Sequence, residues 1–370
     1  MKTIVISAVN LKVGGTLAIL RDCLHYLSLL AEKGDYRVIA LVYDRKLVMY
    51  PNIEYIEMQW PKKAWINRLW CEYVTMKKVS QQLKPVYLWF SLHDTTPNVL
   101  AEKRAVYCHN PFPFYRWKIS EFFFAPKIVL FAIFSKFIYQ KNIHENDYVV
   151  VQQEWIRKEF IRMFGLKQKG IIVAPPPCNH EKLIINAHEN KAKEYSFIFA
   201  ASPNSHKNFE CLCKAVEVLC KDKHTNNFKV YITVKGDENK YARWLYAKWG
   251  KYSSNLVFIG FQNKESLNAC YNNCDCLVFP SKIETWGLPI TEFAAWKMPM
   301  LLADLPYAYE TANGCSDVSF FHPDDYWTLA KNMKSLINGD NCFLLNLPKK
   351  KLSEPVTYSW EELFGVLLKK

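Results

Sequence analysis

A chain of 370 residues, half of them hydrophobic, is long enough to bury two cores of ordinary domain size and too apolar to be intrinsically disordered. Its 48 Lys and Arg against 35 Asp and Glu leave a formal net charge of +13, which favours anionic partners such as nucleotide diphosphates or acidic lipid surfaces. The basic residues are scattered among aromatics without a clustered arm, and no helix-turn-helix, zinc-finger or RNA-recognition pattern is present, which argues against nucleic acid.

The chain begins with a strand over residues 1–7 and no signal peptide ahead of it, and no apolar run approaches the roughly 20 residues needed to span a bilayer. The longest such run covers residues 128–134. Twelve cysteines include no Cys-x-x-Cys pair; Cys211/Cys213 and Cys270/Cys274/Cys276 lie in apolar context and read as buried, reduced thiols. These features together predict a cytoplasmic protein.

After the first strand comes Gly14-Gly15, then a helix with Leu17, Leu20, Leu24, Leu27 and Leu30 on one face. A glycine pair between strand and helix brings main chain close to a ligand phosphate. Residues 36–43, 86–90 and 104–108 read as further strands with helices between them, which implies parallel βαβ units and ligands at the strand carboxyl ends. The residues leaving those ends are Ser91-Leu92-His93-Asp94 and His109-Asn110-Pro111. Residues 60–84 are amphipathic and basic, with Ile66, Leu69, Tyr73 and Met76 on one face and Lys62, Lys63, Arg68, Lys77 and Lys78 supplying charge. Residues 112–139 are denser still in aromatics, including Phe122-Phe123-Phe124. Two readings fit this region: aromatics packing an N-terminal core beneath solvated lysines, or a basic aromatic surface lying on a membrane interface.

Strands over 147–153 and 170–174, with a helix over 155–164 between them, close the first half. The stiff run Pro175-Pro176-Pro177-Cys178 marks the domain boundary. The pattern restarts with a strand over 195–201 and the turn Ser202-Pro203-Asn204-Ser205-His206-Lys207-Asn208, where Lys207 can reach a phosphate. Strands over 228–234, 256–260 and 299–303 surround the central stretch, Cys276–Phe279 followed by Pro280-Ser281-Lys282-Ile283-Glu284-Thr285-Trp286-Gly287-Leu288-Pro289-Ile290-Thr291-Glu292. Pro289 suits a first helical position, so Glu284 falls in the loop and Glu292 in the helix. Backbone N–H groups at Gly287, Leu288 and Ile290 would meet a phosphate, while the two carboxylates accept hydrogen bonds from sugar hydroxyls, Glu284 from a hexose and Glu292 from a ribose.

Glu, seven residues, Glu, with Trp-Gly-Leu-Pro inside and Pro-Ser before, closely resembles the signature of the retaining glycosyltransferases of family 4, the glycosyl transferases group 1. Gly14-Gly15, His109-Asn110-Pro111 and Lys207-Asn208 occur in the order of that family. The resemblance implies an α/β protein of the GT-B fold, with two Rossmann-like domains whose parallel sheets face each other across a donor cleft. Residues 1–174 would be the acceptor-side domain, 175–354 the nucleotide-sugar domain, and 355–370 a last helix crossing back to the first. It further implies transfer of a sugar from a nucleotide diphosphate sugar to a hydroxyl of a saccharide or lipid-linked saccharide acceptor, with retention, in bacterial surface polysaccharide or lipopolysaccharide synthesis. His109, Glu284 and Lys207 would be catalytic, and Gly15, Asn208, Gly260, Phe261, Gly287, Leu288 and Glu292 would bind the donor, Gly260 and Phe261 at the base. No metal or other cofactor is expected, and no Asp-x-Asp motif appears. A peripheral contact with the inner face of an anionic membrane would fit a lipid-linked acceptor. The sequence departs from the family at Asn204, where an arginine usually stands, and Arg243 and nearby lysines are the candidates to replace its charge. Two alternatives remain: a nucleotide-sugar isomerase of similar fold, and a degenerate, non-catalytic sugar-nucleotide binding protein.

Overall fold

The computed structural model of the chain describes residues 1–176, 194–225 and 227–369. Pro177 and Cys178, at the end of the proline-rich run, lie outside the described residues. Two compact units are present: Met1–Phe114 with Ile133–Pro177 and Leu352–Lys370, and Tyr115–Ala132 with Cys178–Lys351.

The first unit holds a seven-stranded sheet of β1 (Lys2–Ala8), β2 (Tyr36–Val42), β3 (Ile53–Glu57), β4 (Leu88–Ser91), β5 (Lys103–Cys108), β6 (Tyr148–Val151) and β7 (Ile171–Val173), in the order β3-β2-β1-β4-β5-β6-β7. The pairings are parallel. Central strands of a parallel sheet are covered on both faces and so read as continuous apolar runs; all of β1 after Lys2 is buried. On one face the helix Gly14–Glu32 contributes Leu17, Leu20, Cys23, Leu24 and Leu27 to a core with Ile4, Ile6, Val38 and Ala40. The last helix, Trp360–Leu367, joins that core through Leu363, Phe364 and Leu367, and Phe364 stacks on Tyr26 with ring centroids 5.5 Å apart. Ser359 starts this helix by accepting from the Glu362 N–H at 3.1 Å. On the other face a helical run passes through a widened π turn, Cys71–Thr75, and buries Cys71 and Met76 against Val5, Ile39, Leu41 and Trp89.

The second unit holds six parallel strands, β8 (Tyr195–Phe199), β9 (Phe228–Ile232), β10 (Leu256–Phe258), β11 (Cys276–Phe279), β12 (Met300–Ala303) and β13 (Val318–Phe321), in the order β10-β9-β8-β11-β12-β13. The two sheets thus share one topology. Each reverses strand order between its first and fourth strands, so successive connections leave to opposite sides there and open a crevice at the carboxyl ends. The helix Phe209–Lys221 buries Phe209, Leu212, Cys213, Val216 and Leu219, with Phe209 tilted against Phe199 at 4.4 Å.

Two strands lie outside the sequence reading. β3 is an edge strand with no fully buried residue, so its pattern carries little apolar signal; β13 is a four-residue edge strand interrupted by Ser319. The aromatic stretch also divides differently from the reading that packs it in an N-terminal core. Residues 115–132 belong to the second unit, where Phe124 packs against Trp244 at 4.8 Å and Tyr241 at 5.6 Å.

The cysteines among the described residues are free thiols, most of them buried, and burial pushes Cys23, Cys108, Cys213 and Cys276 well above the usual thiol range. Among the described residues no helix is long and apolar enough to cross a membrane, and no group of three or more His, Cys, Asp and Glu is placed to hold a metal ion.

Candidate functional site

In the second unit, the loops leaving β8 and β11 flank the crevice where strand order reverses. The first carries the turn Ser205–Lys207 and the second carries residues 280–287. They are tied together by main chain: the Lys282 N–H donates to the His206 carbonyl at 2.8 Å. Asn208 locks the same junction. Its φ of 62° is left-handed, which Asn tolerates, and its buried side-chain amide donates to the carbonyls of Pro280 at 3.0 Å and Pro323 at 2.7 Å. Asn208 therefore positions the loops, with its amide hydrogens spent on protein, whereas the sequence reading gives it to the donor.

This bracing brings Lys207 and Glu284 together. Lys207 Nζ lies 2.5 Å from Glu284 Oε1, with side chains only 17% and 13% exposed. A partly desolvated pair of this kind is stronger than a surface ion pair and stays reachable from solvent. His206 beside it is held neutral near pH 7: desolvation, then the neighbouring charges of Lys207 and Lys282, lower its pKa to about 3. Positive charge at this turn thus resides on the lysines.

Gly287 turns the loop into the helix Leu288–Ala294 with φ of 88°. A Cβ there would stand 3.3 Å from Ile290 Cδ1 and 3.6 Å from the Phe279 and Tyr307 rings, so both backbone and space require glycine. Gly287→Ala is expected to cost roughly 1–3 kcal/mol, read as a lower urea midpoint with unchanged slope. The Ile290 N–H already donates to the Gly287 carbonyl at 2.9 Å, which corrects the expectation that it is free for a phosphate. Leu288 is exposed at the start of this helix. The loop is anchored from behind: Tyr307 donates its hydroxyl to the Ser281 carbonyl at 2.7 Å, and Thr311 donates to the Trp286 carbonyl.

Glu292 sits one turn further on. Desolvation raises its pKa, opposed by the Tyr271 hydroxyl, which donates to Oε2 at 3.4 Å, and by Lys264. It makes no ion pair with Lys207 among the described residues, so the two glutamates of the motif have different surroundings. Gly260 and Phe261 follow β10, two strands from β8 and so about 10 Å across the sheet. Gly260 has φ of 69°, and the Phe261 ring is 87% exposed, a bare aromatic face. Asn204 stays local, donating to Ser202 Oγ at 2.9 Å, and among the described residues the Arg243 guanidinium reaches the Asp237 carbonyl at 3.5 Å.

In the first unit Gly15 lies exposed in the first turn of its helix, after Gly14 with φ of 67°. His109 leaves β5 buried against Tyr107, ring centroids 4.3 Å apart, and its backbone N–H donates to Asp94 Oδ1 at 2.5 Å. Desolvation lowers the His109 pKa, partly offset by Asp94, so the ring is neutral near pH 7.

Sequence reasoning missed two groups. Lys282, inside the motif, is held between Glu121 Oε1 at 2.9 Å and Glu210 Oε1 at 3.3 Å, its side chain 11% exposed. Burial alone would lower its pKa, yet Glu210 and Glu121 hold it raised. Glu72 is fully buried and shared by Arg68 at 2.9 Å and His93 Nδ1 at 2.8 Å. The only signal for Glu72 was its four-residue spacing from Arg68, which marks a common helix face.

Residues 181–350 match the model of the glycosyl transferases group 1. An uncharacterised glycosyltransferase of Methanocaldococcus jannaschii is 25% identical over 179 residues, 46% of this chain and 43% of that protein. The serotype-specific mannosyltransferase WbdA of Escherichia coli is 28% identical over 156 residues, 42% of this chain and 19% of that protein. The chain thus spans less than half the length of these curated relatives. Among solved structures, the lipopolysaccharide outer core galactosyltransferase WaaB superposes with a TM-score of 0.62 at 13% identity, over 99% of this chain and 94% of that one. The fold is GT-B, and the span that matches the group 1 model contains both Lys207 and the Glu284 to Glu292 stretch.

Proposed function

We propose that this chain transfers a sugar from a nucleotide diphosphate sugar to a hydroxyl of a saccharide acceptor, with retention of configuration. The observation that carries this reading is the Lys207–Glu284 pair at the crevice of the second sheet. On donor binding the Lys207 ammonium would turn to the diphosphate and Glu284 to the sugar hydroxyls, each exchanging one partner for another. As the anomeric carbon parts from the diphosphate oxygen and bonds to the acceptor oxygen, the acceptor proton passes to the departing diphosphate, and Lys207 stabilises the negative charge that grows on that leaving group. Glu292 would hold the ribose, Phe261 would stack on the base, and neutral His109 would hydrogen-bond a sugar or acceptor hydroxyl. Retention is what the Glu-x7-Glu motif implies. The reading invokes no metal or other cofactor.

Nucleotide release from UDP-, GDP-, ADP- and dTDP-sugars tests it: slow hydrolysis of one donor, lost in Glu284→Gln, is expected. Donors that bind without turnover across an acceptor panel would favour the non-catalytic alternative, which Asn204 supports by leaving the family arginine unreplaced among the described contacts. Absence of donor binding would sink the transferase reading.

The setting we propose is bacterial surface polysaccharide or lipopolysaccharide synthesis at the inner face of the cytoplasmic membrane; the names of WbdA and WaaB support it. The helix Pro126–Gln140 buries Val129, Ala132, Ser135 and Tyr139 while exposing Leu130, Phe134 and Phe137 on one stripe, flanked by Lys127, Lys136 and Lys141. An apolar stripe among cations suits an anionic bilayer surface and an acceptor on a lipid carrier. Binding to phosphatidylglycerol vesicles in flotation should fall about tenfold or more in Phe134→Ser/Phe137→Ser; unchanged flotation would remove the membrane from the proposal.

A further inference from the structure

The first unit gathers cations at the carboxyl ends of β1 and β4, the crevice of its own sheet. Lys62 Nζ donates to the Asn10 carbonyl, two residues beyond β1, at 3.0 Å. Arg68 enters from the neighbouring helix: Nε meets Glu72 Oε1 at 2.9 Å and Nη2 meets the His93 carbonyl, just past β4, at 2.7 Å. Lys12 lies two residues after Asn10. Desolvation, then the charges of Lys12 and Arg68, lower the Lys62 pKa, so the three cations act on one another. Neither Lys12 nor Lys62 forms an ion pair among the described residues, and Asn10 Nδ2 is buried with no hydrogen-bond partner.

The arrangement beneath is hydrogen-bonded throughout the buried side chains His93, Ser7 and Trp89. His93 bridges Glu72 at 2.8 Å and Ser7 Oγ at 3.1 Å, and Trp89 Nε1 donates to the same hydroxyl at 3.1 Å. These buried groups fix the Arg68 guanidinium and leave its Nη1 without a hydrogen bond among the described residues. Cations gathered at a strand-end crevice repel one another, a cost that a bound dianion relieves.

We infer that Lys12, Lys62, Arg68 and the Asn10 amide form a binding site for a phosphate or diphosphate group, carried by the acceptor. Glu72, His93 and Ser7 are positioning residues for Arg68. Assigning the anion to an acceptor rests on the transferase reading; the anion site itself does not. Two sources share this chemistry, a soluble sugar phosphate and a polyprenyl diphosphate carrier.

The test uses the full chain in a Lys207→Ala background, which removes the donor-side cation. Inorganic phosphate should still bind there, by calorimetry, and adding Lys62→Gln or Lys12→Ala should weaken it about tenfold. Displacement of the phosphate by glucose 6-phosphate would assign the site to a soluble sugar phosphate. Lys62-dependent binding to phosphatidylcholine vesicles carrying a polyprenyl diphosphate, but not to plain vesicles, would assign it to the lipid carrier. Phosphate binding indifferent to both substitutions, or no phosphate binding in the Lys207→Ala background, would overturn the site. That failure is separate from failure of the donor panel, which probes the second unit.

Discussion

Lys207→Ala is expected to lower kcat on the true donor by about 10²–10³, the loss that follows removal of one preorganised charge from a transition state that develops negative charge. Lys207 is the cation the structure places against the motif, paired with Glu284 at 2.5 Å at the strand-end crevice. KM for the donor should change less than kcat, because charge on the diphosphate increases as the glycosidic bond breaks. The substitution also leaves Glu284 without its partner, so Lys207→Ala/Glu284→Gln is the control: it removes the stranded carboxylate, and activity should not recover. A Lys207→Ala enzyme with wild-type kcat would place the leaving-group charge elsewhere and contradict the proposed mechanism.

Lys282→Ala is expected to destabilise the second unit by about 3–5 kcal/mol, the effect of removing one partner from a buried ion pair. Lys282 and Glu121 are 11% and 4% exposed, and Glu121 also accepts from Tyr115, so a lone Glu121 would stay buried with its charge uncompensated. Urea denaturation of wild type and variant gives the difference directly. Lys282→Ala/Glu121→Gln should recover part of the loss, since the stranded charge goes with it. The pH dependence has a definite sign. The folded chain binds the Lys282 proton more tightly than the unfolded chain, whose lysine pKa is near 10.5. Its contribution is fully present below that value and disappears as pH rises through the higher folded pKa. An equal urea midpoint for variant and wild type would show that Glu121 finds other compensation.

Much of this molecule is legible along the chain. Central strands such as β1, β4 and β11 appear as unbroken apolar runs because a parallel sheet covers both faces. Edge strands β3 and β13 escape because each pairs with one strand of its sheet and carries a weaker apolar pattern. Gly287 is legible as a turn glycine, and its φ of 88° with crowded surroundings supplies the reason. Asn208 illustrates the limit: its place beside Lys207 suggests a ligand contact, and its amide proves to be spent on Pro280 and Pro323, 72 and 115 residues away. Glu121 likewise stands in the N-terminal half of the chain and meets Lys282, 161 residues on.

The sequence by itself determined the alternation of strand and helix, the two α/β sheets, and the motif that carries Glu284, Gly287 and Glu292, because these rest on local periodicity and local backbone need. Only the tertiary structure decided that Lys207 faces Glu284, that residues 115–132 pack with the second unit, and that Arg68 meets a buried Glu72 while Lys62 reaches the Asn10 carbonyl. Those outcomes depend on which long-range partner satisfies a buried charge or amide, and a desolvated polar group takes whichever partner the folded chain brings within reach.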